Sequence, residues 1–350
     1  MDDARRLQLF STCLQDGATN TRLRTLLSRE TNWQAFGQQA SEQMVAMAIH
    51  SELSRRSICD ALPADLADCL GAMFELNAAR NETIRRQLIE VLSTLNAAGI
   101  RPLLLKGAAS LLSPLYGDLG SRLIGDLDLL VPSESLRDAS AALQRLGYQR
   151  ALHVGCDEDH YRRFHHDAPL MHPDRIAAVE LHRRYVISAR GTRLMEALAS
   201  PPMTLTVDGA SACLPQPTER LAHNFLHQMV QDSGYVRGNF DLRQLYEAAL
   251  LVSRYGTVIK WSALLNAVES CFCRHEWGAF AGSLNKLFRI HVPVGDSSWV
   301  QRRLWLTRAL LQYRWPRVRR LNHHLYWRIH RMLPSRLRVH LGWEDYGWGN

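Results

Sequence analysis

Two aspartates stand two residues apart in Asp126-Leu-Asp-Leu-Leu-Val131. If this segment is a strand, side chains at i and i+2 point to the same face. The two carboxylates then lie about 7 Å apart along the strand. Leu127, Leu129 and Val131 take the opposite, apolar face. One side packs, and the other presents acids that repel each other unless protons or a cation intervene. Hard oxygen donors on one face suit a divalent cation, which takes more than two of them. A third acid is available in Ile176-Ala-Ala-Val-Glu-Leu181, where Ile176, Ala178, Glu180 and His182 share a face. If that strand lies beside 126–131, Glu180 completes a carboxylate triad. Three carboxylates can hold two Mg²⁺ ions, an arrangement suited to in-line phosphoryl or nucleotidyl transfer. A D-x-D pair taken alone is equally a pair of solvated strand-end acids.

Lys106-Gly107 falls where a short apolar run feeds a helix. Backbone N–H groups at a helix start can bind phosphate, and glycine lets the backbone approach closely. Lys106 adds a point charge and Ser110 a hydroxyl; the bland alternative is a strand–turn–helix junction with a solvent-facing lysine. The Walker pattern G-x-x-x-x-G-K-[ST] is absent. His223 and His227 share a helix face four residues apart, but the intervening sequence is Asn-Phe-Leu and lacks the glutamate of H-E-x-x-H. A zinc pair, packing beside a bound base or ribose, and ordinary helix histidines all remain open for them. His153, His160, His165, His166 and His172 are spaced too irregularly to suggest a metal site.

The elements that must carry these residues follow from periodicity. Ile84, Leu88, Val91, Leu92 and Leu95 form one stripe of an amphipathic helix over 81–97, with Gly99 at its end. Residues 1–98 read as helical throughout. Ile100–Leu105 predicts a short buried strand, Ala108–Leu115 a short helix, and 126–131 a second strand. Ser133 then caps a helix whose apolar face is Leu136, Ala139, Leu143 and Leu146. Strand, helix, strand, helix implies an α/β or α+β core. His172-Pro-Asp-Arg175 predicts a hairpin between 168–171 and 176–181, and Asp208-Gly209 a second between 203–207 and 212–214. From Thr218 the pattern is helical again, with Asp241 and Gln244 spaced as in a capping box.

The chain has 350 residues and a formal net charge of +8. The charge is uneven: residues 301–350 hold eleven arginines and two acids, so the first 300 residues sum to −1. Hydrophobic residues make up 46%, which excludes disorder as the dominant state. Seven scattered cysteines without a C-x-x-C fit neither a disulfide framework nor a zinc ribbon, and reduced thiols in a cytoplasmic protein are expected. No apolar run approaches the ~18 residues of a membrane span, and no secretory leader is visible after Met1. From Ser297 to Trp343 there is no acid, and arginines alternate with Trp299, Trp305, Trp315, Trp327 and Trp343. Such a tail can bind nucleic acid, lie on an anionic membrane surface, dock an acidic protein, or pack its apolar side on the body with arginine facing water. Pro316 and Pro334 break it into short helices.

Taken together, Leu104-Leu-Lys-Gly-Ala-Ala-Ser110, Tyr116, Arg122, Asp126-Leu-Asp-Leu-Leu-Val131 and Val179-Glu-Leu-His182 resemble the uncharacterised bacterial nucleotidyltransferase family of the DNA polymerase beta-like superfamily. The resemblance spans roughly residues 30–255 and takes in Trp33, His223, His227, Asp241 and Arg243. It implies an α+β fold: a small mixed β-sheet core over 99–215 between helical regions 1–98 and 216–296, with 297–350 as a basic tail. It implies transfer of a nucleoside monophosphate from an NTP such as ATP to an acceptor hydroxyl, an EC 2.7.7-type reaction. Asp126, Asp128 and Glu180 would be catalytic and would hold Mg²⁺ or Mn²⁺, Glu180 also being able to accept the acceptor's proton. Lys106, Gly107, Ser110, Arg122, His182, His223 and His227 would contact the nucleotide. The superfamily more often follows its glycine with Ser or Gly, whereas Gly107 precedes two alanines, and Gly107 to Asp126 is a longer separation than usual. The acceptor is left open among small molecules, RNA and protein. A non-catalytic nucleotide- or RNA-binding module that uses the basic tail is the competing reading.

Overall fold

A computed structural model describes residues 1–113, 115–152, 157, 161–162 and 164–333. His153, His160, Cys156, Pro334, Trp343 and the rest of 334–350 lie outside the described residues.

Seven short strands form one mixed sheet in the order β3-β4-β5-β2-β1-β7-β6. They are β1 (Leu103–Leu104), β2 (Asp126–Leu130), β3 (Gln149–Arg150), β4 (Leu170–Met171), β5 (Ala178–His182), β6 (Met203–Val207) and β7 (Ala210–Leu214). β2 runs parallel to β5 and antiparallel to β1, and its register sets Asp128 opposite Glu180 and Leu130 opposite His182. The neighbour relation expected for Glu180 is therefore present. Both predicted hairpins form, β4 with β5 and β6 with β7. β1 is only two residues long, shorter than the run Ile100–Leu105, because Lys106 already opens the next helix.

Five α-helices precede the sheet, the first four being α1 (Asp3–Cys13), α2 (Asn20–Leu27), α3 (Trp33–Glu42) and α4 (Ala46–Arg55). The fifth, α5 (Ala64–Ala97), is 34 residues long. Only its second half carries the stripe Ile84, Leu88, Val91, Leu92 and Leu95, which buries against Leu104, Leu127, Leu129, Val179 and Leu181 on the back of the sheet. α6 (Lys106–Leu112) follows β1, and α7 (Leu136–Arg145) follows β2. Ser133 does not cap α7: it opens a 3₁₀ turn, Ser133–Ser135, ahead of it. After α8 (Ala189–Leu198), the C-terminal half is helical: α9 (Pro217–Phe225), a π-turn at Leu226–Gln231, α10 (Gly234–Arg237), α11 (Leu242–Tyr255), α12 (Trp261–Ser270) and α13 (Arg274–Phe288). The Asp241 carboxylate caps α11 by accepting from the Gln244 backbone N–H at 3.1 Å. Leu7, Phe10, Leu27, Phe36 and Ile49 share one core with Phe225, Leu245, Trp277 and Phe280, so the N-terminal and C-terminal helices pack together in front of the sheet's acidic side.

The basic tail begins as two helices, α14 (Trp299–Arg314) and α15 (Pro316–Met332), separated at Pro316. α14 is packed on the body: the Trp305 indole donates to the Tyr235 carbonyl at 2.7 Å, and Tyr313 donates to the Phe240 carbonyl at 2.6 Å.

The long connection from α6 to β2 is held by α5. Asn77 Nδ2 donates to the carbonyls of Gly120 and Arg122 at 2.8 and 2.9 Å. Asn81 Nδ2 donates to those of Leu119 and Arg122 at 2.6 and 2.7 Å. These asparagines are buried, so the loop's carbonyls have no water to turn to. Replacement Asn81→Ala should cost about 1–3 kcal/mol in denaturant unfolding, because it removes the Asn81 donor from the Leu119 carbonyl and leaves that of Arg122 with Asn77 alone. A loss below a few tenths of a kcal/mol would mean that the loop is held by other contacts.

Candidate active site

Asp128 is fully buried, at 0% exposure. Its charge is compensated at one oxygen: Lys106 Nζ donates to Oδ1 at 2.7 Å, and His182 Nε2 lies 2.9 Å from the same atom. A carboxylate only accepts, so the imidazole donates there. Burial works against ionisation of Asp128, but Lys106 and His182 outweigh it and hold its pKa well below the usual carboxylate range. The other oxygen, Oδ2, is buried with no hydrogen-bond partner.

Lys106 reaches Asp128 from a strained position. Its φ of 40° is in the left-handed region, unusual for a residue with a side chain. The Leu105 N–H donates to the Asp128 carbonyl at 3.0 Å, which fixes the junction against β2. Strain of this kind costs about 1–3 kcal/mol and persists where the surroundings over-determine the geometry. Burial disfavours the ammonium charge, yet Asp128, Glu180 and Asp126 together raise its pKa.

Glu180 sits beside Asp128, with Oε2 3.6 Å from His182 Nε2 and 3.8 Å from His166 Nε2. Burial pushes its pKa up, but the nearby His182 imidazole prevails and the carboxyl is shifted down. His182 shows the reciprocal effect: burial would remove its proton, while Asp128 and Glu180 hold its pKa above the ordinary value. Asp126 is half-buried one strand turn away, and the charge of Asp128, then burial, raises its pKa to about 6. Ligand atoms of Asp128, Glu180 and His182 lie within 4.8 Å of one another; Asp126 is not in that group. The two carboxylates are oxygen donors able to hold a divalent cation, with the orphaned Oδ2 an available ligand atom, while His182 Nε2 gives its N–H to Asp128.

Two cavities meet at Lys106 and His227. The larger, about 440 Å³, is lined by His165, His166, Glu180, Asp232, Tyr326 and Trp327, among others. The smaller, about 60 Å³, is lined by Arg122, Arg220, Arg243, His223 and Glu247. Arg122 is buried, pairs with Glu247 and lies 5.8 Å over the Tyr116 ring. Burial lowers the pKa of Arg122 and, with the help of Arg122, takes that of Arg220 down to about 10. Arg122 and Arg220 give the wall of the smaller cavity buried positive charge, part of which Glu247 and, at Arg243, Asp241 already meet.

The remaining expected residues are placed as follows. Gly107 packs against Ile124, where an added Cβ would come within 3.2 Å of a methyl. Ser110 Oγ donates back to the Lys106 carbonyl at 3.3 Å and is thus used within α6. His182 is fully buried and touches the carboxylates. His223 is buried, and its Nε2 has no hydrogen-bond partner. His227 lies in the π-turn with Nδ1 3.2 Å from Asp232 Oδ2. Sequence reasoning set His165 and His166 aside as too irregularly spaced and did not single out Arg220. Arg220 had a signal, since it precedes His223 and His227 by three and seven residues on one helix face. The histidine pair had none, because its place depends on the isolated bridge between His166 and His182.

Residues 29–289 match the family described as uncharacterised nucleotidyltransferase. The chain belongs to this family. Membership makes nucleotidyl transfer the general activity class and implies an NTP as substrate. No curated protein matches the sequence. The match ends before α14, so the tail helices lie beyond the family's shared region.

His223 carries a pH dependence. Burial, then Lys106 and His227, hold its pKa well below the ordinary 6.5, so the folded chain keeps it neutral. The unfolded chain takes up a proton as pH falls through about 6.5, and stability falls with it. The urea midpoint should therefore be lower at about pH 5 than at about pH 7, with a flatter profile in His223→Gln. An identical profile in the variant would assign the dependence to other groups.

Proposed function

We propose that this nucleotidyltransferase is a member of the DNA polymerase beta-like superfamily and moves a nucleoside monophosphate from an NTP to an acceptor hydroxyl. The observation that carries this reading is the pairing of Asp128 with Glu180 across parallel strands, with an orphaned carboxylate oxygen, next to an arginine-lined cavity. The superfamily's core is a strand-borne D-x-D with a third acid on a neighbouring strand, and residues 99–215 would form that core here.

Asp126, Asp128 and Glu180 would hold Mg²⁺ or Mn²⁺, which when bound supplies Lewis-acid stabilisation of the phosphate charge. Lys106, Arg122, Arg220 and Arg243 would take the triphosphate; they line one cavity, and the charges of Arg122 and Arg220 are buried and already oriented before the ligand arrives. Gly107 would let the first turn of α6 come near the phosphates. His182 acts through the carboxylates that it touches, which makes it a positioning residue. His227 borders both cavities and His223 the smaller one, where base or ribose would rest. The acceptor oxygen attacks the α-phosphorus in line, the bond to the bridging oxygen breaks, and pyrophosphate leaves. Glu180, ionised and facing the larger cavity, can accept the hydroxyl proton.

Transfer of label from α-labelled NTPs, with Mg²⁺ or Mn²⁺ and with small-molecule, RNA and self-protein acceptors, tests the reading. We expect Asp126→Ala/Asp128→Ala to abolish transfer while the fold is retained. Lys106→Ala should slow it by roughly 10²-fold or more, because it removes charge from both Asp128 and the phosphates. Transfer that persists in the double aspartate variant would overturn the assignment.

A further inference from the structure

Half of the exposed large apolar side chains among the described residues lie in α14 and α15. On α15, Val318, Leu321, Leu325, Ile329 and Met332 recur at spacings of three and four and make one stripe along the helix. The stripe is open to water: Leu321 is 60% exposed and Met332 82%. α14 adds Trp299, Val300, Leu304 and Leu311, with Leu304 65% exposed. This is not the side by which α15 holds the body. Asn322 Nδ2 donates to the Arg237 carbonyl at 2.7 Å, and Tyr326 Oη donates to Ser233 Oγ at 2.9 Å, from a different face.

The charge beside the stripe is of one sign. Arg317, Arg320, Arg328 and Arg331 follow one flank of it, and no acid occurs between Ser297 and Trp343. We propose that this outward face of α14 and α15 docks on an anionic lipid bilayer. The aliphatic side chains enter the headgroup–acyl boundary, and the guanidinium groups meet lipid phosphates. Aliphatic side chains decide between partners. RNA would satisfy the arginines but leave Leu321, Leu325, Ile329 and Met332 facing water. A second copy of the chain would press two surfaces of like charge together. None of the described helices is long and apolar enough to cross a membrane, so the geometry is one of lying in the interface. α15 also lends Tyr326 and Trp327 to the wall of the larger cavity, so the helix that meets the bilayer borders the candidate active site.

The test is co-sedimentation of the full chain with phosphatidylcholine vesicles, with and without about 30% phosphatidylglycerol, at low and at physiological salt. Binding is expected to the anionic vesicles only and to weaken with salt. Leu321→Asp/Ile329→Asp should reduce it at least about tenfold, since the variant loses buried apolar area and adds anionic charge. Arg320→Glu/Arg328→Glu should reduce it similarly, while Leu76→Asp, at a distant exposed leucine, should not. All three variants change exposed residues, so unchanged melting curves certify the fold. Absence of binding to anionic vesicles at low salt would overturn the proposal. So would binding that survives Leu321→Asp/Ile329→Asp. Sedimentation equilibrium that finds self-association abolished by the same pair would assign the face to a second copy instead.

Discussion

Asp128 carries its charge in a fully buried position, and it can do so because Lys106 and His182 converge on one of its oxygens. An isolated buried carboxylate would take up a proton or unfold its surroundings, since desolvation of an ion costs several kcal/mol. The compensation imposes the local architecture. Lys106 has to stand at the start of α6 with a left-handed backbone, and His182 has to lie on the strand next to β2, in register. Removing either partner leaves a buried charge, whereas keeping both leaves Oδ2 open toward a ligand.

A second electrostatic arrangement complements the first. The acidic cluster and the arginine cavity share Lys106 as a common wall. Neither side is neutral alone: the acids repel one another enough to raise Asp126, and the arginines are buried enough to shift Arg122 and Arg220 downward. A cation bound together with a polyphosphate would relieve both at once. The π-turn at Leu226–Gln231, which displaces His227 from a regular helical path, lies where the two cavities meet. Gly234 is needed just beyond it, because an added Cβ would come within 2.5 Å of the Gln228 carbonyl oxygen.

Much of this was legible in local sequence. Period-two alternation identified β2 and its acidic face, and the turn residues identified both hairpins. Those signals are carried by neighbours in the chain. The pairing of β2 with β5 was a conditional expectation, because the alternation within each strand shows which face is apolar but not which strand lies next to it. Ser133 was read as a cap because serine favours that position, but the chain takes one 3₁₀ turn first and α7 starts after Ser135. The contacts that finish the site were illegible for a physical reason: they join residues far apart in sequence through side chains of ordinary composition. Arg122 pairs with Glu247, Asn77 and Asn81 hold the loop before β2, and Trp327 closes a cavity more than 140 residues after Glu180. The basic tail had several readings on composition alone. Its first two helices separate into a side that binds the body and a side left apolar and cationic, a division that only tertiary contacts reveal.

The central claim is that the buried acidic cluster is a metal-dependent nucleotide site. Calorimetric titration of a non-hydrolysable NTP analogue into the full chain, with Mg²⁺ and with chelator, tests it without requiring the acceptor. The account predicts binding that depends on the metal and is lost in Asp128→Asn at unchanged secondary structure. Equal binding with and without metal, unaffected by that substitution, would contradict it.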